Sequence, residues 1–315
     1  MRIAPVLLCL AAALSAADLR LGIVGTDTSH VTNFARILND PADPEHEPGA
    51  RLVAAFKSSS PDIELSRSRV DGFARELAEK YGVELVPDLS TLCARVDGVL
   101  LESGDGRVHL AQARQIIAAR RPMFIDKPLA STLEDAREIA RLARAAGVAW
   151  WSSSGQRFGE IAATMKFPDA LGVDTWGPGP VEEHHYLELA WYAIHPIEML
   201  YALMGPGCRE VTRYASGGAQ SGSDVIVGRW KDGRIGTVRT LRPTGPYGAV
   251  VARPKAAVQS PAKPAQGYGP LVRQIVAFFQ TGKPPVANEE TLEIYAFMDA
   301  AQRSKEQGGK PVALR

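Results

Sequence analysis

Between residues 19 and 151, short apolar runs alternate with amphipathic helical patterns, and this alternation limits the possible folds more than any other feature of the chain. Strand-like runs occupy 19–25, 51–56, 96–101 and 124–126. Apolar residues recur at helical spacing over 31–38, 73–80, 110–119 and 134–146. Strand, helix, strand in repetition predicts βαβ units and a doubly wound, mostly parallel sheet, with ligands expected at the carboxyl ends of the strands. After Trp150-Trp151 the pattern changes, so a second domain is expected over 152–315. There 181–189 and 224–241 read as strands, the latter turning at Lys231-Asp232-Gly233-Arg234. Helices are predicted over 270–280 and 289–307, and the Pro-, Ala- and Lys-rich stretch 253–267 reads as a loop.

The first residues read differently. Arg2 precedes an apolar run over 6–14 and then Ser15-Ala16-Ala17, which predicts a signal peptide over 1–17 and an exported protein, periplasmic or extracellular. The run is too short to span a bilayer. With 36 basic and 35 acidic residues the net charge is +1, which argues against electrostatic capture of nucleic acid or of a membrane surface. A chain of 315 residues with 45% apolar content exceeds the usual single-domain size. Beyond Cys9 in the leader, Cys93 and Cys208 read as two separately buried thiols rather than a disulfide.

The segment Phe124-Ile125-Asp126-Lys127-Pro128 has a short strand delivering an acid and a lysine, and Ser131-x-x-Glu134 then reads as a capping box. A lysine held at a strand end can bind, orient or protonate a substrate hydroxyl, because burial and neighbouring charge readily shift its pKa. Before it come Tyr81-Gly82-Val83, Val86-Pro87-Asp88, Val96-Asp97-Gly98-Val99-Leu100-Leu101 and His109; after it comes Tyr192-Ala193-Ile194-His195-Pro196-Ile197-Glu198. In this order the motifs resemble the glucose-fructose oxidoreductase / inositol dehydrogenase / MocA (Gfo/Idh/MocA) family, from residue 19 to the C-terminus. The resemblance implies an α/β fold: an N-terminal Rossmann-like domain over 18–151, then an α/β substrate and oligomerisation domain with an open, mostly antiparallel sheet. It implies a sugar or polyol substrate, NAD(P), Lys127 and His195 as catalytic residues, and a homodimer or higher oligomer through the second sheet. Asp126, Trp191, Tyr192, Glu198 and His109 are then expected at the substrate.

The chain departs from the family pattern at cofactor and catalytic positions. The nucleotide loop reads Gly25-Thr26-Asp27-Thr28-Ser29-His30, with Asp27 and His30 where the dinucleotide fingerprint needs its second and third small residues. A carboxylate about 4 Å from a pyrophosphate costs on the order of 4 kcal/mol at an effective dielectric near 20. Phe56 is followed by Lys57-Ser58-Ser59-Ser60 rather than a ribose-binding acid, although those residues suit a 2′-phosphate. Trp191 stands where the family places an aspartate, and Ser103-Gly104-Asp105-Gly106 where it places a proline-asparagine pair. Gly25, Asp27, Ser29 and His30 are therefore expected to form a vestigial nucleotide loop, and ordinary NAD(P) use is not expected.

In the run Glu182-Glu183-His184-His185-Tyr186-x-Glu188, a strand would put one histidine on each face, each with a carboxylate two residues away. His184 or His185 with Glu183 and His195 would suit a zinc or manganese ion. The leading expectation is an exported, redox-neutral sugar enzyme (lyase, hydrolase or epimerase). The alternatives are an NAD(P)-dependent sugar or polyol oxidoreductase and a non-catalytic sugar-binding protein.

Overall fold

A computed structural model describes residues 17–315; the leader expected over 1–17 lies outside them apart from Ala17. The first domain runs β1 (Leu19–Val24), α1 (His30–Asn39), β2 (Ala50–Phe56), α2 (Glu64–Arg67), α3 (Val70–Tyr81), β3 (Glu84–Val86) and α4 (Leu89–Arg95). It continues through β4 (Gly98–Leu101), α5 (Gly106–Ala118), β5 (Met123–Asp126), α6 (Leu133–Ala146) and β6 (Trp150–Ser153). Its six strands form one parallel sheet in the order β3-β2-β1-β4-β5-β6. The order reverses between β1 and β4, which puts the ligand crevice beyond their carboxyl ends. β4, β5 and β6 are buried at every position, as expected for a sheet covered on both faces.

Local signals set the helix ends. Thr132, not Ser131, caps α6 by accepting from the Asp135 amide at 3.0 Å, so the sequence-predicted capping box is displaced by one residue. Asp88 and Asp105 cap α4 and α5 in the same way. α1 buries Val31, Phe34, Ala35, Ile37 and Leu38 against the sheet. Each large apolar side chain buried there contributes about 1.5–3 kcal/mol, which makes packing the main support of this ten-residue helix.

The second domain begins with a 3₁₀ turn (Gly155–Phe158) and then has α7 (Glu160–Thr164), β7 (Gly172–Pro178), α8 (Glu188–Trp191), α9 (Ile194–Met204), β8 (Cys208–Gly218) and β9 (Ser221–Trp230). β10 (Ile235–Leu241), β11 (Gly248–Arg253), β12 (Ala256–Gln259), α10 (Gly269–Thr281), α11 (Asn288–Glu306) and β13 (Val312–Ala313) complete it. Its seven-stranded sheet has the order β12-β11-β7-β10-β9-β8-β13 and is antiparallel except where β7 meets β10. The expected hairpin is present, with β9 and β10 joined through Lys231-Asp232-Gly233-Arg234.

Three sequence expectations need correction. Residues 181–189 form no strand: His185 N turns back to Glu182 O and Leu187 N donates to Ser131 O, so local turns and the first domain take the backbone groups a ladder would need. The stretch 253–267 is not all loop, because Ala256–Gln259 pairs with β11 as the sheet's edge strand. The division at residue 151 is also too simple. β6 continues to Ser153, and α10 returns from the second half to pack Leu271, Val272, Ile275 and Phe278 into the core beneath β1, β2 and Trp151. Cys93 and Cys208 are free and buried, as expected, and burial pushes their thiols up to about 11 and about 12. Among the described residues no helix is long and apolar enough to cross a membrane.

Candidate active site

β5 ends at Asp126, so Lys127 emerges at the carboxyl edge of the parallel sheet; α9 brings His195 from the second domain to the same place. Both line a cavity of about 250 Å³ together with Ser29, His30, Tyr192, Tyr247 and Tyr268. This is room for one small polar molecule between aromatic walls. The Lys127 ammonium sits 5.4 Å from the centre of the Tyr192 ring, and the Tyr192 and Tyr247 rings each stand 5.9 Å from the His195 ring at steep angles. A larger surface groove, about 1000 Å³, lies elsewhere, along α5 and α6, and is lined by arginines and carboxylates that largely pair with one another.

His195 Nδ1 contacts Ser154 Oγ at 2.5 Å, which leaves Nε2 for a ligand. Burial, then the charges of Lys127 and His30, holds the His195 pKa well below the usual histidine value, so the ring is neutral near neutrality and able to accept a proton. Glu198 does not line the cavity, contrary to the expectation that it meets the substrate. Its carboxylate takes Arg157 at 3.0 Å and Ser153 Oγ at 3.4 Å, and Arg157 also pairs with Glu290. Burial raises the Glu198 pKa, with Arg157 opposing.

The remaining expected site residues divide. Tyr192 lines the cavity, whereas Trp191 lies over a narrower extension of about 60 Å³ beside Asp27, Ser66 and Gly104. Asp126 is buried behind the cavity, its Oδ2 2.6 Å from His30 Nδ1. Burial acts to raise its pKa, but His30 and Lys127 outweigh that and keep it below the usual carboxylate range. His109 is structural rather than substrate-facing: it is fully buried, with Nε2 2.7 Å from Ser103 O and Nδ1 3.2 Å from Leu129 O.

The metal set expected from His184, His185, Glu183 and His195 is not assembled. His184 is solvent-facing and bonded to Glu182, Glu183 is exposed, and His185 is buried with Nε2 on Asp105 at 3.0 Å. Without a strand over 181–189, nothing aligns these side chains towards His195. A residue that sequence reading passed over is Glu102, directly after β4 and fully buried beside Asp126. Burial, and then Asp126, holds its pKa well above the usual value. An acid ending an otherwise apolar strand was the signal available for it.

The nucleotide loop keeps one feature of a dinucleotide site: Gly25 has φ +90°, and a Cβ there would strike the Ser103 backbone. The rest does not fit a pyrophosphate. The Asp27 carboxylate takes Ser66 Oγ at 2.5 Å and the Gly104 amide at 3.0 Å, and the Thr26 hydroxyl donates to Val70 O. Residues 58–70, α2 included, are thereby tied across the crevice. Burial raises the Asp27 pKa against these hydrogen bonds. Beside the loop lies a cavity of about 60 Å³ lined by Asp27, Ser29, His30, Ser66 and Gly104.

The geometry defines a two-domain α/β protein with a Rossmann domain and a cavity lined by Lys127 and His195 at the domain junction. Residues 19–153 match the family model described as "Oxidoreductase family, NAD-binding Rossmann fold" (GFO_IDH_MocA). The match to the Gfo/Idh/MocA family model covers this domain, less than half of the chain. No curated protein matches. Among solved structures, scyllo-inositol dehydrogenase from Lactobacillus casei with bound NAD(H) and scyllo-inositol is 14% identical, with 95% of this chain and 99% of that one covered and a TM-score of 0.75. Myo-inositol dehydrogenase from Lactobacillus casei in complex with NAD(H) and myo-inositol is 17% identical, covering 95% and 97%, with a TM-score of 0.73. An oxidoreductase from Agrobacterium radiobacter in complex with NAD⁺, L-tartaric acid and magnesium is 14% identical, covering 95% and 99%, with a TM-score of 0.74. At these identities the likeness speaks to the fold of both domains.

Proposed function

We propose that the protein is an enzyme acting on a hydroxyl-bearing carbon of a small sugar or polyol, with Lys127 and His195 handling the proton. The observation that carries this reading is their convergence, from different domains, on one 250 Å³ cavity walled by Tyr192, Tyr247 and Tyr268. Neutral His195 takes a hydroxyl proton at Nε2, while the Lys127 ammonium holds or protonates the neighbouring oxygen. The tyrosine rings offer apolar faces to a pyranose or cyclitol ring. The match of the first domain to an oxidoreductase family model, and inositol dehydrogenases among the structural neighbours, favour oxidation or reduction of that carbon over lysis or hydrolysis. A redox-neutral reaction is the second reading, and one observation favours it: the Asp27 carboxylate, held by Ser66 and Gly104, at the loop where a dinucleotide would lie.

The test is a panel of inositols, aldoses and glycosides incubated with and without NAD⁺ or NADP⁺ and followed by nicotinamide absorbance and NMR. Cofactor reduction supports the first reading. Conversion without it supports the second, and binding without conversion of any member would leave a sugar-binding protein. The leader-like start supports export, which fractionation of expressing cells and intact mass would check. Pairing through the second sheet is the family's implied assembly, and light scattering that gives a monomer would count against it.

A further inference from the structure

We infer that His30, Glu102 and Asp126 form a binding site for one divalent transition-metal ion of the manganese or zinc type, behind the wall of the proposed active cavity. One ligand atom from each residue, an imidazole nitrogen and two carboxylate oxygens, lies within 4.8 Å of the other two. Donors about 2.0–2.2 Å from one ion lie at most about 4.4 Å apart, so the three atoms need only a small further approach to share one. Three elements bring them together: His30 opens α1, Glu102 follows β4 and Asp126 ends β5.

A second observation points to a ligand. Both Glu102 oxygens and Asp126 Oδ1 are buried and have no hydrogen-bond partner among the described residues. Buried carboxylate oxygens are normally satisfied, and three unpartnered ones on two neighbouring acids, with Glu102 0% and Asp126 1% exposed, are an unusual concentration of acceptors. A cation meets that demand directly: it neutralises two carboxylates that would otherwise repel each other in a dry site. The mixed nitrogen and oxygen set favours manganese or zinc over calcium, which takes six to eight oxygens.

His30 is the link to the cavity. It is part of the cavity lining, whereas the two acids lie behind it, and Tyr268 packs on its ring at 4.8 Å. Binding would exchange the 2.6 Å His30–Asp126 hydrogen bond for coordination. An ion there would add positive charge beside Lys127 and strengthen the field on a substrate oxygen, a role that rests on the proposed catalytic reading. Binding itself does not, so it is tested without turnover.

Protein freed of metal by chelator is titrated with Mn²⁺ and Zn²⁺ by calorimetry, with Mn²⁺ also followed by electron paramagnetic resonance. About one equivalent should bind, with a rise in melting temperature. Glu102→Gln and Asp126→Asn should each weaken binding by at least about a hundredfold. His184→Ala, a surface histidine, should leave it unchanged. If a ligand variant fails to fold, the wild-type titration still decides: no binding of either ion at about 1 mM overturns the site. Binding that Glu102→Gln does not weaken, or that His184→Ala abolishes, overturns it equally. None of these outcomes bears on whether Lys127 and His195 are catalytic.

Discussion

Ser154 Oγ lies 2.5 Å from His195 Nδ1, across the point where the chain passes from the Rossmann domain into the second domain. The same oxygen accepts from the Gln156 amide at 3.2 Å, which fixes its position. A base at Nε2 requires the tautomer with hydrogen on Nδ1, and Ser154 Oγ can accept that hydrogen. Ser154 is thus a positioning residue for the proposed base. Ser154→Ala should lower kcat by about 10- to 100-fold with KM little changed. It should also shift the acid limb of the pH profile; equal kcat and an unmoved profile would remove Ser154 from the mechanism.

His195 should remain neutral at the pH where an ordinary imidazole is half protonated, about 6.5. Its folded pKa is depressed by burial, with Lys127 and His30 adding to the effect, so the neutral ring persists as pH falls and takes a second proton only well below that point. Ring-proton NMR of the His195 signal, assigned through His195→Gln, measures this. A midpoint at or above the ordinary value would contradict it.

Asp27→Gly should tighten binding of NAD⁺ or NADP⁺ by at least about tenfold, since it removes both a carboxylate near the pyrophosphate position and the anchor for Ser66. Calorimetric titration of both proteins compares them. Unchanged affinity would show that Asp27 is not what disfavours a dinucleotide at this loop.

The second domain's stability should depend on Asp224. Its buried carboxylate takes Arg213 at 2.5 Å and Arg242 at 2.7 Å, and both guanidinium groups are themselves buried. Burial acts to raise the Asp224 pKa, but Arg242 and Arg213 prevail and lower it. A depressed carboxyl contributes stability above its unfolded pKa of about 3.9, and that stability is lost as pH falls through the folded value. Asp224→Asn should therefore cost about 3–5 kcal/mol at pH 7 and progressively less below about pH 4. Urea unfolding across that range checks the sign, and a cost independent of pH would refute it.

Much of this architecture is legible in the sequence because it rests on local periodicity. The βαβ alternation, the Asp-Gly hairpin and the strand-end Lys127 are encoded within a few residues of where they act, and element ends fall close to the sequence prediction. What sequence reading misses is non-local. α10 packs under β1 and β2, far away in the chain, and its amphipathic pattern does not say which sheet it covers. His185 reads as a metal ligand from its neighbours, but its fate is set by Asp105, 80 residues away. Glu102 became visible only when β4 and β5 were laid side by side and its carboxylate came to face Asp126.

The central claim is that Lys127 and His195 do the chemistry in the interdomain cavity. Once a sugar or polyol substrate is found in the panel, the steady-state kcat of Lys127→Ala and His195→Ala tests it most directly, with circular dichroism confirming that each variant folds. Each should turn over at least about a hundredfold more slowly than the wild type. A folded variant of either residue with near wild-type kcat would contradict the account.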